Sequence, residues 1–414
     1  MILDEGHNPR HDKTKRFKSV DLVRPEWIWF LTGTPIINNV KDTLGPLKFL
    51  WPRIEAEIAK DDSIKDWPAQ ANSVGLSLRN RLKACPADDK NRLLALNPDT
   101  LGHLLDTGNI TLIQQFCHIA DKLYAIRRSQ ASNLMNSNGA SISLKSIMPS
   151  HDIKTISLEY SKVHAKVYAY FHRAHVQDYP QAIQMLYKSK EERKMIYEPQ
   201  GHSSHVMSAL RGMTVLTTSA LLARFEALMK QASKKWDTRV DSINHYRSIG
   251  LSVHHFIAIT HRKGDPPIDT AKERAAFMGW GSAKVPILYG FLAKFAVPLD
   301  EAAGVDKRSK LLITDEFPAS AWFIQLCCEA VGVTCEVLHS DLPGSERIKL
   351  IRNFNDATTK VRVLVILYGV DLMGVNLDGC CWNVLVWTAA TNAAVEAQAT
   401  ARPIRVSFLN PCYS

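Results

Sequence analysis

Short apolar runs alternate with helical patterns from residue 310 onward, and this alternation constrains the fold more than any other feature of the sequence. The runs at residues 311–313, 334–338, 361–367 and 383–387 have the length and composition of buried strands. Strands that are joined through helices pair in parallel with right-handed crossovers. We therefore predict an α/β fold with a parallel sheet in this part of the chain.

The helices between these strands have recognisable start and stop signals. Pro318 suits the first turn of a helix that runs to Ala330, and Gly332 is placed to end it. Ser345 is the predicted cap of the next helix. The apolar face of that helix is formed by Ile348, Ile351 and Phe354.

The first 150 residues also contain a strand of the buried kind. The apolar run at residues 27–31 is followed by the turn sequence Thr32-Gly33-Thr34-Pro35, which predicts a strand covered on both faces. Mixed-polarity helices are predicted at residues 40–51 and 111–126, and Arg127-Arg128 closes the stretch. Residues 129–146 are rich in Ser and Asn and are predicted to form a loop.

The middle of the chain has a helical texture. Apolar residues recur at three- and four-residue steps at residues 160–171 and again at 210–229, and Gly264-Asp265-Pro266-Pro267 is a clear break. We therefore divide the chain into residues 1–150, a helical insertion at 151–305, and a second α/β domain at 306–414.

Composition excludes several classes of protein. The 414 residues carry a net charge of +10, which favours an acidic partner such as nucleic acid, although scattered lysines give the same total. The longest apolar run of the chain is shorter than the roughly 20 residues that span a bilayer.

The eight cysteines lack a Cys-x-x-Cys spacing and are predicted to be reduced packing residues. The basic stretch at residues 13–18 is predicted to be a solvated helical face rather than a nuclear address.

An acidic pair, Asp4-Glu5, follows the apolar residues at the start of the chain. A magnesium-nucleotide site needs one carboxylate for the water shell of the metal and a second that polarises the attacking water, and this pair supplies both at the end of a strand. A phosphate-binding Gly-x-x-x-x-Gly-Lys-Ser/Thr loop would normally come earlier, yet the sequence contains no Gly-Lys dipeptide. The expectation is a chain that is truncated at its N-terminus.

Five motifs in a fixed order carry a family resemblance. They are Asp4-Glu5-Gly6-His7, Leu31-Thr32-Gly33-Thr34-Pro35 with Asn38-Asn39, Arg127-Arg128, Gly374-Val375-Asn376-Leu377, and the stretch Gln398 to Arg405. In this order, with a long insertion between them, they resemble the Swi/Snf branch of the superfamily-two helicases, and the insertion is most similar to fungal-type relatives.

The resemblance implies a fold, ligands and partners. Members of the family have two RecA-like parallel-sheet lobes, of which the first is incomplete here, with the helical insertion between them. They bind ATP and Mg²⁺, act on double-stranded DNA, in many cases on nucleosomes, and work in the nucleus. We expect no membrane partner.

The resemblance also assigns roles to residues of the first part. Asp4 would hold Mg²⁺ through water and Glu5 would position the hydrolytic water. His7, Thr32, Gly33 and Thr34 would couple the nucleotide to DNA. The alternatives are a surface or capping role for His7 and a plain turn for the other three.

In the second part, Gly374, Gln398, Arg402 and Arg405 would bind the nucleotide, and Asn376 would contact DNA or the nucleotide sugar. Arg402 and Arg405 are expected on one side of a helical turn, where they neutralise phosphate charge as arginine fingers. The alternative is an exposed basic helix end. Pro403 departs from the family pattern and should end or kink the helix near Arg402.

Two classes of function remain open on these residues. One is an ATP-dependent DNA translocase of the chromatin-remodelling type, present as a fragment that hydrolyses ATP weakly or not at all by itself. The other is a non-catalytic remnant that binds DNA or protein, or a decayed product.

Overall fold

The structure of the protein is a computed structural model that describes sixteen ranges of the chain. The chain divides into two compact units, Met1–Ser146 and Ile147–Ser414. The described residues are 1–33, 40–60, 93, 96–107, 110–126, 131–135, 138–143, 145, 152–178, 212–225, 252–296, 310–368, 370, 376–377, 379 and 381–403.

The first unit combines short strands with four helices in its described residues. In chain order these are β1 (Ile2–Asp4), α1 (Lys15–Val23), β2 (Trp29–Leu31), a 3₁₀ turn (Val40–Thr43), α2 (Leu44–Ile58), α3 (Pro98–Thr107), α4 (Ile110–Tyr124), β3 (Asn133–Met135) and β4 (Ser141–Ser143). The helices predicted at residues 40–51 and 111–126 are therefore confirmed.

Local signals explain where α1 begins and ends. The Thr14 hydroxyl accepts a hydrogen bond of 3.2 Å from the backbone N–H of Phe17, which caps the first turn. The helix ends at Arg24, whose φ of 43° is left-handed. The charged residues of α1 are exposed and only Phe17 is buried, so the solvated helical face predicted at residues 13–18 is confirmed.

Two aromatic contacts pack α1 and β2 against α2 in the first unit. The rings of Phe17 and Phe49 stack with centroids 4.2 Å apart, and the Phe30 ring lies 5.9 Å from Phe49. A separate helical core joins α2, α3 and α4 through the buried residues Leu47, Leu96, Leu101, Leu104, Ile113 and Ala120.

The expectation that the strand at residues 27–31 is covered on both faces is wrong. Among the described residues, β2 pairs in parallel with β1 alone, and one face of this two-stranded sheet is open: Ile2 is 67% exposed, Trp29 56% and Leu31 50%. The continuous apolar run gave no sign of this, because both faces of a strand read alike when every residue is apolar.

The loop predicted at residues 129–146 is also wrong in part. β3 and β4 pair antiparallel, with Leu134 opposite Ile142, and Gly139 takes a φ of 75° between them. A positive φ at the turn of a hairpin suits glycine. The Ser- and Asn-rich composition concealed two three-residue strands.

The described part of the second unit begins with helices. They are α5 (Lys162–Asp178), helical residues 212–216 and 220–225, α6 (Val253–Thr260), α7 (Ala271–Trp280) and α8 (Val285–Phe295). α5 packs through Val167 and Tyr168 on a small cluster formed by Met213, Leu216 and Ala223, whereas the other helices share one core with the sheet. The ring of Phe256 lies within 5.6 Å of the rings of Phe225, Trp322 and Phe323. Within residues 152–178, 212–225 and 252–296, which the structure describes, the predicted helical texture and the break at Gly264 are confirmed.

The elements that follow in the described part of the second unit are β5 (Lys310–Asp315), α9 (Pro318–Ala330), β6 (Cys335–Leu338), α10 (Gly344–Asn355), β7 (Val363–Leu367), β8 (Cys381–Val386) and α11 (Ala393–Thr400). These four strands form one sheet, all parallel, in the spatial order β6-β7-β5-β8. The predicted parallel-sheet α/β class is confirmed.

Two details of α9 and α10 test the predicted helix signals. α9 begins at Pro318, and Gly332 beyond its end has a φ of 73°, as its position predicted. Ser345 is not the cap of α10, because the helix already begins at Gly344, with Pro343 as the cap residue. Ile348 is 61% exposed, whereas Phe354 is fully buried, so only part of the predicted face lies against the core.

Four of the described cysteines, Cys327, Cys328, Cys335 and Cys381, are buried free thiols, as predicted, and Cys117 is half-buried. None of the helices in the described ranges is both long and apolar enough to cross a bilayer.

Two glycines of the second unit give opposite expectations for the same substitution. Gly332 has a left-handed φ of 73°, so Gly332→Ala should lower the free energy of unfolding by about 1–2 kcal/mol. Gly290 lies inside α8 with open space around it, so Gly290→Ala should raise that free energy by about 0.5–1 kcal/mol. Urea unfolding of both variants measures the pair, and equal effects of one sign would contradict this account.

Candidate functional site

The acidic motif and the Thr-Gly motif lie at the same edge of the sheet in the first unit. The parallel register sets Asp4 opposite Leu31, so the residues after each strand emerge side by side. The backbone N–H of Gly6 donates a 2.8 Å hydrogen bond to the carbonyl of Leu31, which extends the pairing beyond β1. Glu5 takes a φ of 49°, and this left-handed residue starts the turn.

His7 connects the two motifs. Its Nδ1 shares a hydrogen bond of 2.8 Å with Oγ1 of Thr32 and lies 3.4 Å from Oε2 of Glu5. The side chain is 9% exposed, so the alternative of a surface histidine is wrong. The structure thus brings Glu5, His7 and Thr32 together. The same nitrogen of His7, Nδ1, faces both the Thr32 hydroxyl and the Glu5 carboxylate.

Asp4 is the more exposed of the two carboxylates. Its Oδ1 accepts a 2.9 Å hydrogen bond from the N–H of Glu5, which holds the carboxylate at the strand end. Among the described residues there is no group of three or more His, Cys, Asp or Glu side chains that could hold a metal ion. One exposed carboxylate fits Mg²⁺ of the nucleotide-bound kind, which keeps several waters and takes other ligands from phosphate.

Gly6 is required by close packing in this turn. A Cβ atom at this position would lie 2.7 Å from Cβ and 2.8 Å from Cα of Phe30. The turn can therefore approach β2 only with glycine at this position.

The loop after the acidic turn is fixed by a buried carboxylate that the sequence analysis missed. Asp42, in the 3₁₀ turn, is fully buried, and its Oδ1 lies 3.4 Å from Nε of Arg10 and 3.8 Å from Nε2 of His11. A Cβ on Gly45 would meet the carbonyl oxygen of Pro9 at 2.5 Å, so α2 packs directly on this loop. A single Asp at the start of a helix gave no distinguishing signal.

In the second unit, two of the predicted motifs are neighbours. The backbone N–H of Leu377 donates a 3.4 Å hydrogen bond to the carbonyl of Arg402. The side-chain amide of Asn355 donates to the carbonyl of Asn376 at 2.8 Å, and its Oδ1 accepts from the N–H of Gly379 at 3.2 Å. Asn355 thus supports the Asn376 loop, and sequence reasoning had not singled it out.

Arg402 lies outside a helix. α11 ends at Thr400 and Arg402 follows in the turn beyond it, whereas Arg405 is outside the described residues, so the expected placement of both guanidiniums on one side of a helical turn stays a prediction. Arg402 is 9% exposed, which also excludes the alternative of an exposed basic helix end. The predicted effect of Pro403 is confirmed, because proline at this position lacks the N–H that a continuing helix needs. Gln398 lies half-buried on α11.

Several predicted residues lie outside the described residues. These are Thr34, Asn38, Asn39, Arg127, Arg128, Gly374 and Arg405.

A second buried carboxylate lies at the carboxyl end of β5. Asp315 is fully buried, and its Oδ1 accepts hydrogen bonds from the N–H groups of Glu316 at 2.7 Å and Phe317 at 3.4 Å. Burial raises its pKa from 3.8 to about 6, while the hydroxyls of Ser320 and Thr388 and the two N–H groups oppose the rise. The sequence pattern does not reveal this carboxylate, because the apolar run ends at Ile313.

Comparison with known proteins identifies the family. The profile of the SNF2-related domain matches residues 1–213, which is more than half of the chain and includes the acidic turn and Thr32. This chain belongs to the SNF2-related family. The Swi/Snf-type, superfamily-two resemblance of the sequence motifs is therefore confirmed.

Curated relatives match over short segments. The DNA repair protein RAD5 of Eremothecium gossypii is 34% identical over 109 residues, 24% of this chain and 10% of that protein. RAD5 of Candida albicans is 50% identical over 50 residues, 12% of this chain and 5% of that protein. The helicase-like transcription factor of Mus musculus is 46% identical over 50 residues, which are 12% of this chain and 5% of that protein. The SNF2-related chain is matched over a tenth or less of the length of these relatives.

Solved structures give distant likenesses. The C-terminal part of the Fun30 ATPase domain aligns with a TM-score of 0.36 and 18% identity over 61% of this chain and 79% of that one. The Sulfolobus solfataricus SWI2/SNF2 ATPase core in complex with dsDNA aligns with a TM-score of 0.28 and 15% identity, over 93% of this chain and 62% of that one. At these scores the likenesses carry no argument about this SNF2-related chain.

Substitution of Gly6 tests the packing of the acidic turn. Gly6→Ala places a Cβ against the Phe30 backbone and should lower the stability of β1 and β2 by about 1–3 kcal/mol. Gly33→Ala is the matched control, since nothing lies within 4 Å of its Cβ position. Hydrogen exchange of residues 1–33 measures both variants, and equal protection in the two would contradict the tight approach.

The raised pKa of Asp315 predicts a pH dependence of stability. Protonation of its carboxyl group favours the folded unit, a contribution that is full below about pH 4 and is lost as the pH rises through about 6. Asp315→Asn has no carboxylate, so from pH 4 to pH 8 its free energy of unfolding should rise relative to wild type by about 3 kcal/mol at most.

Asp356 provides a control of opposite sign. Its exposed carboxylate has a lowered pKa because the hydroxyl and N–H of Thr358 donate to it, so its contribution is lost on acidification. Asp356→Asn should therefore lose stability relative to wild type above its ordinary pKa. Urea unfolding across the pH range measures both variants, and parallel profiles would overturn the assignment for Asp315.

Proposed function

We propose that this SNF2-related chain is part of an ATP-dependent double-stranded-DNA translocase. The observation that supports this most strongly is the contact of His7 with Thr32 and Glu5, inside the region that matches the family profile. It joins the acidic motif to the Thr-Gly motif through one buried side chain. In a nucleotide-driven motor, such a link passes the state of the attacking water to the neighbouring loop.

The proposed organisation follows the motifs. Residues 1–150 form the C-terminal part of a first RecA-like lobe, 151–305 a helical insertion and 306–414 a second RecA-like lobe. This scheme places the acidic turn in the first lobe and the Asn376 and Arg402 segments in the second.

The proposed roles follow the chemistry of each side chain. Asp4 holds Mg²⁺ through water, and Glu5 orients the attacking water. ATP with Mg²⁺ supplies the phosphoryl group whose transfer drives the motor. Gly374, Gln398, Arg402 and Arg405 bind the nucleotide, and the two arginines neutralise the charge of the transferred phosphate, which is charge stabilisation rather than covalent chemistry.

The remaining predicted residues act on the DNA side. Thr32, Gly33 and Thr34 pass the signal from His7, and Asn376 contacts the DNA backbone. The net charge of +10 supports an acidic partner. The names of the curated relatives, DNA repair proteins and a transcription factor, support work on nuclear DNA, and nucleosomes are a further proposed substrate.

A second candidate is a non-catalytic DNA- or protein-binding role. It is favoured by one fact of the sequence: the 414 residues contain no Gly-Lys dipeptide and so no phosphate-binding loop of the Gly-Lys-Ser/Thr kind. By themselves, these residues should therefore hydrolyse ATP slowly or not at all.

DNA binding and ATP turnover of the purified 414-residue chain test both candidate functions. We expect it to bind double-stranded DNA with an affinity that falls steeply as salt is raised, because phosphate contacts release counterions. ATP turnover with DNA present should not exceed that of Glu5→Gln, which should bind DNA equally well. DNA-stimulated turnover that is lost in Glu5→Gln would show that the chain is active by itself. Failure to bind DNA at low salt would overturn the translocase proposal.

A further inference from the structure

The turn between β8 and α11 is built from two buried residues. The N–H of Trp387 donates to the carbonyl of Thr314 at 2.9 Å, which extends the sheet by one residue beyond β8. The Trp387 ring is 6% exposed, and its Nε1 donates to Oγ1 of Thr218 at 3.1 Å. Thr388 follows and is also buried.

Two side chains from other elements bind the consecutive carbonyls of this turn. Nζ of Lys284 donates to the carbonyl of Trp387 at 2.7 Å. The hydroxyl of Tyr368, just after β7, donates to the carbonyl of Thr388 at 3.0 Å and lies 2.9 Å from Oγ1 of Thr314. Lys284 comes from the helices that precede the sheet, so the turn is held from two directions.

Lys284 is itself fixed. Oγ of Ser282 accepts from the N–H groups of Lys284 at 3.1 Å and Val285 at 3.2 Å, and donates to the carbonyl of Thr218 at 2.5 Å. The Lys284 ammonium group also lies 5.4 Å from the centre of the Trp387 ring. Thr218, Ser282, Lys284 and Trp387 therefore form a closed ring of contacts.

The turn is linked onward to α11. The N–H of Ala390 donates to Oε2 of Glu396 at 2.9 Å, so the segment before the helix is tied to its first turn. α11 packs against β5 and carries Gln398, and the chain then reaches Arg402. The position of the Trp387–Thr388 turn therefore sets where α11 begins.

We propose that Lys284 and Tyr368 are positioning residues that hold the Trp387–Thr388 turn and thereby set the place of α11. The inference rests on the proposed function only in that Gln398 and Arg402 are its nucleotide-facing residues. A displacement of the N-terminus of α8, which carries Lys284, would move the start of α11 with it. The contacts of Lys284 thus connect the helices before the sheet to Gln398 and Arg402, the predicted nucleotide-binding residues.

Hydrogen exchange of the 414-residue chain, without nucleotide or DNA, tests this inference. Lys284→Met keeps the apolar stem and removes the donor, and Tyr368→Phe removes the hydroxyl. Each should speed exchange of the amides at residues 387–400 by roughly tenfold, the effect of losing one hydrogen bond to a buried carbonyl. Exchange in β5 should not change. Lys284→Arg keeps a charged donor and should restore much of the protection.

Lys294→Met is the matched control, because Lys294 is an exposed lysine of the same helix. It should leave residues 387–400 as in wild type. The inference is overturned if Lys284→Met and Tyr368→Phe leave these residues protected, or if they speed exchange in β5 equally. If Lys284→Met does not fold, Tyr368→Phe decides by the same criterion, and Lys284→Arg should keep residues 387–400 close to wild type. Since the readout needs no nucleotide, its failure is distinct from failure of the ATPase proposal.

Discussion

β5, one of the two inner strands of the second unit's sheet, carries a buried charged side chain at each end, and the architecture around it depends on how these charges are satisfied. At the start of β5, Lys310 is fully buried, and its Nζ donates to the carbonyls of Asn353 at 3.2 Å and Asp356 at 2.7 Å and to Oγ1 of Thr359 at 3.1 Å. All three ammonium protons are used. A buried lysine is tolerated only with such a set of acceptors.

At the other end, Asp315 accepts the first N–H groups of the segment that leads into α9. The cation therefore lies at the C-terminal end of α10 and the anion at the N-terminal end of α9, which is the favourable order for both helix dipoles. Because each charge binds one flanking helix, β5 fixes both helices relative to the sheet. The Trp387–Thr388 turn, which Tyr368 holds through the carbonyl of Thr388, lies at the carboxyl edge of this sheet, where parallel sheets place their functional loops.

Sequence patterns predicted the parts of the fold that depend on local composition. The alternation after residue 310 was sufficient for the parallel sheet, and Gly332 was correctly placed as the end of α9. Patterns failed where one neighbour decides the outcome. The open face of β2 follows from its having one partner strand in the part of the chain that the structure describes, and the buried state of Arg402 follows from a turn that packs beside Leu377.

The site could be predicted only in part, for a related reason. Asp4, Glu5, His7 and Thr32 were found because they stand in compact motifs beside their strands. Lys284 and Trp387 are 103 positions apart, and an isolated lysine next to a helix start carries no pattern that reveals its acceptor. In both units, polar side chains after parallel strands join segments that are distant in the chain. His7 does this with Thr32, inside the predicted motifs, and Tyr368 does it with the carbonyl of Thr388, outside them.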